Sequence, residues 1–70
     1  MKANRAYELS VSRGSPTGMI EVIEIDTGEI ALFWDVRPDQ TRRLAGALRT
    51  DLARLEASEF LAKWTKWQQS

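Results

Sequence analysis

The sequence predicts a small α+β domain, in which a three-stranded antiparallel β-meander precedes one long C-terminal α-helix, in the order β-β-β-α. Two observations predict this fold. Short apolar runs with the period of a strand occupy the first half of the chain, and an uninterrupted helical pattern occupies the second half. The 70 residues form a single domain, residues 1–70, with strands at about 5–13, 19–25 and 29–36 and a helix at about 38–68.

The first strand is predicted by alternation. Tyr7, Leu9 and Val11 are separated by polar residues, so one face of this strand should be buried. Residues 14–18 contain several turn formers and should lead into the second strand. Their two glycines do not make a phosphate-binding loop, because neither the lysine nor the helix of such a loop follows them.

The second and third strands should form a hairpin. The second is a β-branched run, and the Asp-Thr-Gly turn at residues 26–28 ends in a glycine that can take a positive φ. This triplet also occurs in aspartic proteases, but a hairpin turn explains it fully here. The even positions of the third strand should form its core face: Ile30, Leu32, Trp34 and Val36.

These two strands do not alternate cleanly. Ile20 and Val22 point to one side of the sheet, whereas Ile23 and Ile25 point to the other, and Phe33 lies opposite the core face. A β-bulge near Val22 would reconcile the second strand. Alternatively, the outer face of the sheet is partly covered. The simpler interpretation is that Phe33 is an aromatic side chain exposed to solvent.

The predicted helix carries two apolar stripes. Pro38 suits its first turn, and a leucine stripe should pack on the sheet, with residues at 44, 48, 52 and 55. A second stripe lies roughly opposite and is small in its first half and bulky in its second. We interpret it as a protein interface, formed by Gly46, Thr50, Ala53, Ala57, Phe60, Leu61, Trp64 and Trp67.

The predicted helix is longer than the sheet, so part of its second stripe would extend beyond the sheet. About thirty helical residues would extend roughly 45 Å, whereas strands of about seven residues span about 24 Å. Three arrangements accommodate this difference. A continuous helix pairs with a second copy around residues 53–57, or it breaks near Ser58 so that a short aromatic helix folds back, or its aromatic end docks on another protein.

Composition excludes several classes of function. The chain has no cysteine and no histidine, which removes disulfides and the usual agents of zinc binding, thiolate chemistry and general-base catalysis. We therefore predict no enzyme, no metal and no cofactor. Ten basic residues balance ten acidic ones, and no apolar run is long enough to span a bilayer. A cytoplasmic protein is the default expectation.

Arginines on the predicted helix suggest a second kind of partner. Arg37, Arg42 and Arg49 could lie along one flank and hold phosphates, although a solvated flank paired with Asp39 and Asp51 is the preferred explanation. A nucleic-acid-associated regulator of transcription or of the nucleoid is accordingly the alternative function.

The segment from Trp34 to Arg49 resembles the strand-to-helix part of the N-terminal dimerisation module of actinobacterial xenogeneic silencers. The resemblance covers less than a third of the chain and rests on common aspartate, leucine, glycine and basic positions. It implies self-association and a link to nucleoid or transcription proteins. The basic DNA-binding domain of that family has no counterpart in the sequence.

The leading prediction is a non-catalytic protein–protein interaction module, such as an adaptor, inhibitor or regulatory subunit. Seventy residues without a disulfide or metal gain stability most readily by association, so a homodimer through the second stripe is expected.

Overall fold

Three antiparallel strands and three helices make up the computed structural model, which describes residues 1–13 and 18–67. The elements in chain order are α1 (Ala3–Ala6), β1 (Tyr7–Arg13), β2 (Gly18–Glu24), β3 (Ile30–Val36), α2 (Pro38–Arg54) and α3 (Ala57–Thr65). The predicted α+β class and three-stranded antiparallel sheet are confirmed, with strand order β1-β2-β3. Residues 14–17 of the turn predicted at 14–18 lie outside the described residues, as does the predicted helix end at residue 68, whereas Gly18 belongs to β2.

The chain begins with a helical turn that alternation did not predict. Arg5 and Ala6, expected in the first strand, belong to α1. Ala3 anchors this turn because its side chain is fully buried. From Tyr7 onward the predicted alternation holds, and Leu9 and Val11 pack against the core from β1.

A tight turn joins β2 and β3 as the sequence predicts. Gly28 takes φ 75°, a conformation that costs glycine little and other residues much more. Its N–H donates to the Glu24 carbonyl at 2.8 Å, and the Glu24 N–H donates to the Glu29 carbonyl at 2.8 Å. These bonds close the hairpin and fix where β3 starts.

A β-bulge interrupts the pairing of β2 with β3. The register runs from Gly18 opposite Val36 to Val22 opposite Leu32, but Ile23 then lies opposite Ile30, so Ala31 is the extra residue. The predicted bulge near Val22 is present, with the inserted residue on the partner strand. As a result, the prediction that Ile30 faces the core is wrong, since its side chain is 54% exposed.

The prediction of one long helix is also wrong. α2 ends at Arg54, Leu55 and Glu56 are extended, and α3 starts at Ala57. The chain thus folds back as in the second arrangement, but it breaks before Ser58 rather than at it. Glu56 is the N-cap, and its carboxylate accepts from the backbone of Glu59 while the Glu59 side chain accepts from the backbone of Glu56.

The N-terminal residues hold this break in place. The Ala3 N–H donates to the Leu55 carbonyl at 2.9 Å, and the Ala57 N–H donates to the Met1 carbonyl at 2.9 Å. The terminal ammonium also lies 3.0 Å from Glu56 Oε1. These bonds satisfy backbone groups that would otherwise be exposed where the helix stops.

The core lies between the inner face of the sheet and the helices. α2 contributes Thr41, Ala45, Leu48 and Leu52, so the predicted leucine stripe is buried at its centre and half-buried at its ends. α3 contributes Phe60 and Trp64. The ring of Phe60 stacks on Tyr7 at 5.8 Å, and the ring of Trp64 meets Trp34 edge-on at 5.9 Å. Aromatic pairs of this kind add to the stabilisation that burial provides.

No helix among the described residues is long and apolar enough to cross a membrane.

Candidate interaction surfaces

The predicted interface residues do not form one surface. Phe60 and Trp64 are 0% and 7% exposed within the core of their own chain, and Ala57 and Leu61 are half-buried. Gly46, Thr50 and Ala53 are exposed on α2. Trp67 follows α3 and is 66% exposed. Because α3 folds back, Phe60 and Trp64 pack against their own chain, whereas the side chain of Trp67 remains exposed.

Three of these residues meet in a groove between α2 and α3. Thr50, Trp64 and Trp67 line it together with Val36, Leu44 and Ala47, and its volume is about 640 Å³. The Trp34 indole N–H donates to the Trp67 carbonyl at 3.2 Å and so fixes the backbone at one end of the groove. The lining is mostly apolar, with charged residues at the rim.

One carboxylate ties the two helices together across this groove. Asp51 Oδ2 accepts from Lys63 Nζ at 2.6 Å and from the Trp64 indole N–H at 3.0 Å. The Asp51 side chain is 16% exposed, whereas that of Lys63 is 50% exposed. Lys63 also lies 5.4 Å from the centre of the Trp64 ring. Asp51 and Lys63 neutralise one another, and Arg43, which also lines the groove, adds one positive charge.

The outer face of the sheet is a second apolar surface, and the sequence did not identify it as a site. Three large apolar side chains there are 41–54% exposed: Met19, Ile30 and Phe33. Ile23 adds a half-buried side chain opposite Ile30. The bulge is the reason that Ile30 joins this set. We call these four residues the outer apolar patch.

Carboxylates surround the outer apolar patch. In the register of the sheet, Asp35 lies opposite Met19 and Glu21 lies opposite Phe33. On the other side of β2, Glu8 of β1 lies opposite Ile23. Within the described part of the chain, no ion pair involves any of these three carboxylates. The patch is therefore both apolar and electronegative.

The three arginines that the sequence predicts along one helix flank do not lie together in the structure. Arg42 and Arg49 line a small cleft beside Val11, Thr41 and Ala45, with a volume of about 380 Å³. Arg37 is the N-cap of α2, and its Nε lies 3.5 Å from Asp39 Oδ1. Two of the three predicted phosphate contacts thus share one site, and the third pairs with an aspartate.

The described residues contain no group of three acidic, histidine or cysteine side chains placed to hold a metal ion. All buried side-chain nitrogen and oxygen atoms in the described part of the chain have hydrogen-bond partners.

No protein-family model matches the chain, and no curated protein or solved structure resembles it significantly.

Proposed function

We propose that the chain is a non-catalytic protein–protein interaction module, an adaptor, inhibitor or regulatory subunit, that binds its partner through the outer apolar patch. One observation supports this assignment above the others. The patch remains exposed after the chain has built its core, and the other exposed large apolar residues among those described, Met1, Ile25 and Trp67, lie outside the strands. Exposed apolar side chains grouped on one face of a small domain are typical of an interaction site.

The patch is also well suited to binding because of its rigidity. Ile23, Ile30 and Phe33 lie on paired strands, with backbones fixed by the β2–β3 ladder. Residues held in this way lose little conformational entropy on association. The groove between α2 and α3 is the competing surface, and of its two tryptophans Trp64 is buried in the core whereas Trp67 is 66% exposed.

The partner can be a second copy or a different protein. The dimer expected from the sequence required Phe60 and Trp64 to reach another chain, and both are now occupied by intramolecular contacts. Self-association through the outer apolar patch would not require them. The proposal retains the cytoplasmic location that the sequence predicts.

Site-specific photo-crosslinking tests this proposal in cells. A benzophenone amino acid is introduced at Ile30 in the patch, at Trp67 in the groove, or at Ala53 as an exposed control on α2. We expect a light-dependent adduct at position 30 that is weaker or absent at positions 67 and 53. An adduct of twice the chain mass identifies a second copy, and any other mass identifies a different protein. An adduct at position 67 alone, or none at position 30, would contradict the proposal.

A nucleic-acid-associated regulator is the second candidate, favoured by the pairing of Arg42 with Arg49 at one cleft. Residues 37–67 carry seven basic and four acidic side chains, so the helical side of the molecule is basic. Phosphate contacts make binding strongly dependent on salt. Titration of labelled duplex DNA and RNA at low and moderate salt, with an Arg42→Gln, Arg49→Gln variant, tests it. Absence of binding at low salt would eliminate this candidate.

A further inference from the structure

The distribution of charge specifies the chemistry of the partner. Between residues 7 and 36 the sequence has six acidic residues and one basic residue, whereas the helices are basic. The outer apolar patch is therefore on the acidic side of a molecule with no net charge. We propose that it binds a cationic amphipathic α-helix of another protein, an inference that rests on the proposed function.

The carboxylates alternate with the apolar side chains. Glu21 lies beside Phe33 and Asp35 lies beside Met19 across the β2–β3 ladder, at the short spacing of directly paired residues. A ligand that covers these apolar groups must also approach the carboxylates. Lysine or arginine side chains flanking an apolar stripe would satisfy both requirements, because their stems are apolar and their ends are cationic.

The same charges argue against a face-to-face dimer. A second copy seated on the patch would bring its own Glu8, Glu21 and Asp35 close to those of the first. Like charges placed together at an interface cost free energy and suppress such pairings. Complementary charge instead favours a basic partner and accelerates its association.

The dimensions of the sheet fit one helix. Strands of seven residues are about 23 Å long, and three strands at about 4.8 Å spacing form a face roughly 14 Å wide. A helix with side chains is about 10 Å in diameter, and about fifteen residues cover 23 Å. A helix on this face would complete a three-layer arrangement, in which the sheet is covered on both sides.

Labelled 15-residue peptides and fluorescence anisotropy test the inference on the intact chain. The first peptide has leucines at helical i, i+3, i+4 spacing and lysines elsewhere. The second has the same composition with leucines and lysines alternating, and the third has glutamates in place of lysines. We expect the first peptide to bind most tightly and to weaken as salt increases.

Matched variants identify the surface that binds. Glu21→Lys and Ile30→Ser should each weaken binding of the first peptide about tenfold or more, the magnitude for loss of a central contact. Asp39→Lys makes the same charge change as Glu21→Lys on an exposed residue of α2, and it should leave the affinity within about twofold. Circular dichroism confirms that each variant folds.

Several outcomes would overturn the inference. Equal binding of the alternating peptide would indicate charge attraction without a helical site. Unchanged binding to Glu21→Lys would show that the peptide binds away from the patch. Preference for the glutamate peptide would assign binding to the basic helices. If no peptide binds while position 30 still crosslinks to a partner in cells, the proposed function stands and the cationic helix is wrong. If neither occurs, both are wrong.

Discussion

Gly18 and Gly46 differ in the space that is available for a side chain. A Cβ at Gly18 would overlap the hydroxyl oxygen of Thr41 and lie 3.1 Å from two of its carbons. Thr41 is 2% exposed and its hydroxyl donates to the Arg37 carbonyl at 3.1 Å, so it has no room to move. A Cβ at Gly46 would have no neighbour within 4 Å. The first glycine allows α2 to approach β2 closely, and the second serves no packing purpose within the chain.

Alanine at these two positions should therefore have opposite effects. Gly18→Ala should lower the free energy of unfolding by about 1–3 kcal/mol, because it overpacks a buried contact. Gly46→Ala should raise it by about 0.5–1 kcal/mol, because alanine is the better residue inside a helix. Urea unfolding of both variants measures the difference. A stable Gly18→Ala variant would contradict the close approach of Thr41.

Glu56 links the helix break to the amino terminus. Its hydrogen bond with the terminal ammonium, the charge of that ammonium and Lys2 together hold the pKa of the Glu56 carboxyl below its usual value of 4.5. A lowered pKa means that the folded state favours the ionised carboxylate. The resulting stabilisation is fully present above the usual pKa and is lost as the pH falls through the lowered pKa of the folded chain.

Glu56→Gln should remove this dependence on pH. Glutamine can still cap α3 but cannot attract the ammonium, so the variant should be less stable than the parent at pH 7. The difference should shrink toward zero as the pH falls below about 4.5 and through the lowered pKa. Thermal unfolding of both proteins across this range measures it. A difference that stays constant with pH would contradict the ion pair.

At the scale of elements, the break between α2 and α3 determines which aromatic residues are available. Most helix breaks are marked by proline or glycine, and residues 39–67 contain no proline and only Gly46. The break is stabilised instead by the reciprocal Glu56 and Glu59 cap and by the pairing of residues 1–3 with residues 55–57. Phe60 and Trp64 are buried because of it.

Spin-label distances should distinguish the folded-back chain from a continuous helix. Gln40 and Trp67 both line the groove, whereas a continuous helix would separate them by about 40 Å at 1.5 Å per residue. Labels at these positions should give a distance well below that value. Labels at Gln40 and Arg54, both on α2, should give about 21 Å and serve as the internal standard. A long Gln40–Trp67 distance would contradict the break.

Local patterns predicted most of the sheet and part of the helical layer. Alternation identified Leu9 and Val11, the turn residues identified the hairpin at Gly28, and the period of 3.6 identified Leu48 and Leu52. Each of these signals depends on neighbours in sequence. The break near Glu56 could not be predicted in the same way, because its backbone partners lie more than fifty residues away.

The site predicted on the helix differs from the site proposed on the sheet for a related reason. The failure of the leucine stripe after residue 55 is visible in the sequence, and a fold-back near Ser58 is one of the three arrangements that it allows. The predicted interface instead depends on a second exposed face. The odd apolar positions of β2 and β3 were the relevant signal for the outer apolar patch. If the bulge is predicted in β3 instead of β2, Ile30 is assigned to the outer face of the sheet.

At the scale of the whole molecule, the sheet and the helical layer differ in charge. The strands and their hairpin are acidic, the helices are basic, and the formal charge of zero hides this separation. The apolar surface that remains exposed on the sheet is therefore next to carboxylates, and the arginine cleft is on the helical side. The acidic sheet would attract cationic partners, and the basic helical layer would attract anionic ones.

Nuclear magnetic resonance of the 15N-labelled chain, titrated with the helical leucine–lysine peptide, tests the central claim most directly. If the outer apolar patch is the binding surface, the amide shifts should change most at Met19, Ile23, Ile30 and Phe33 and very little at residues that line the groove. Changes centred on Leu44, Ala47 and Trp67 would show that the groove binds and would contradict the account.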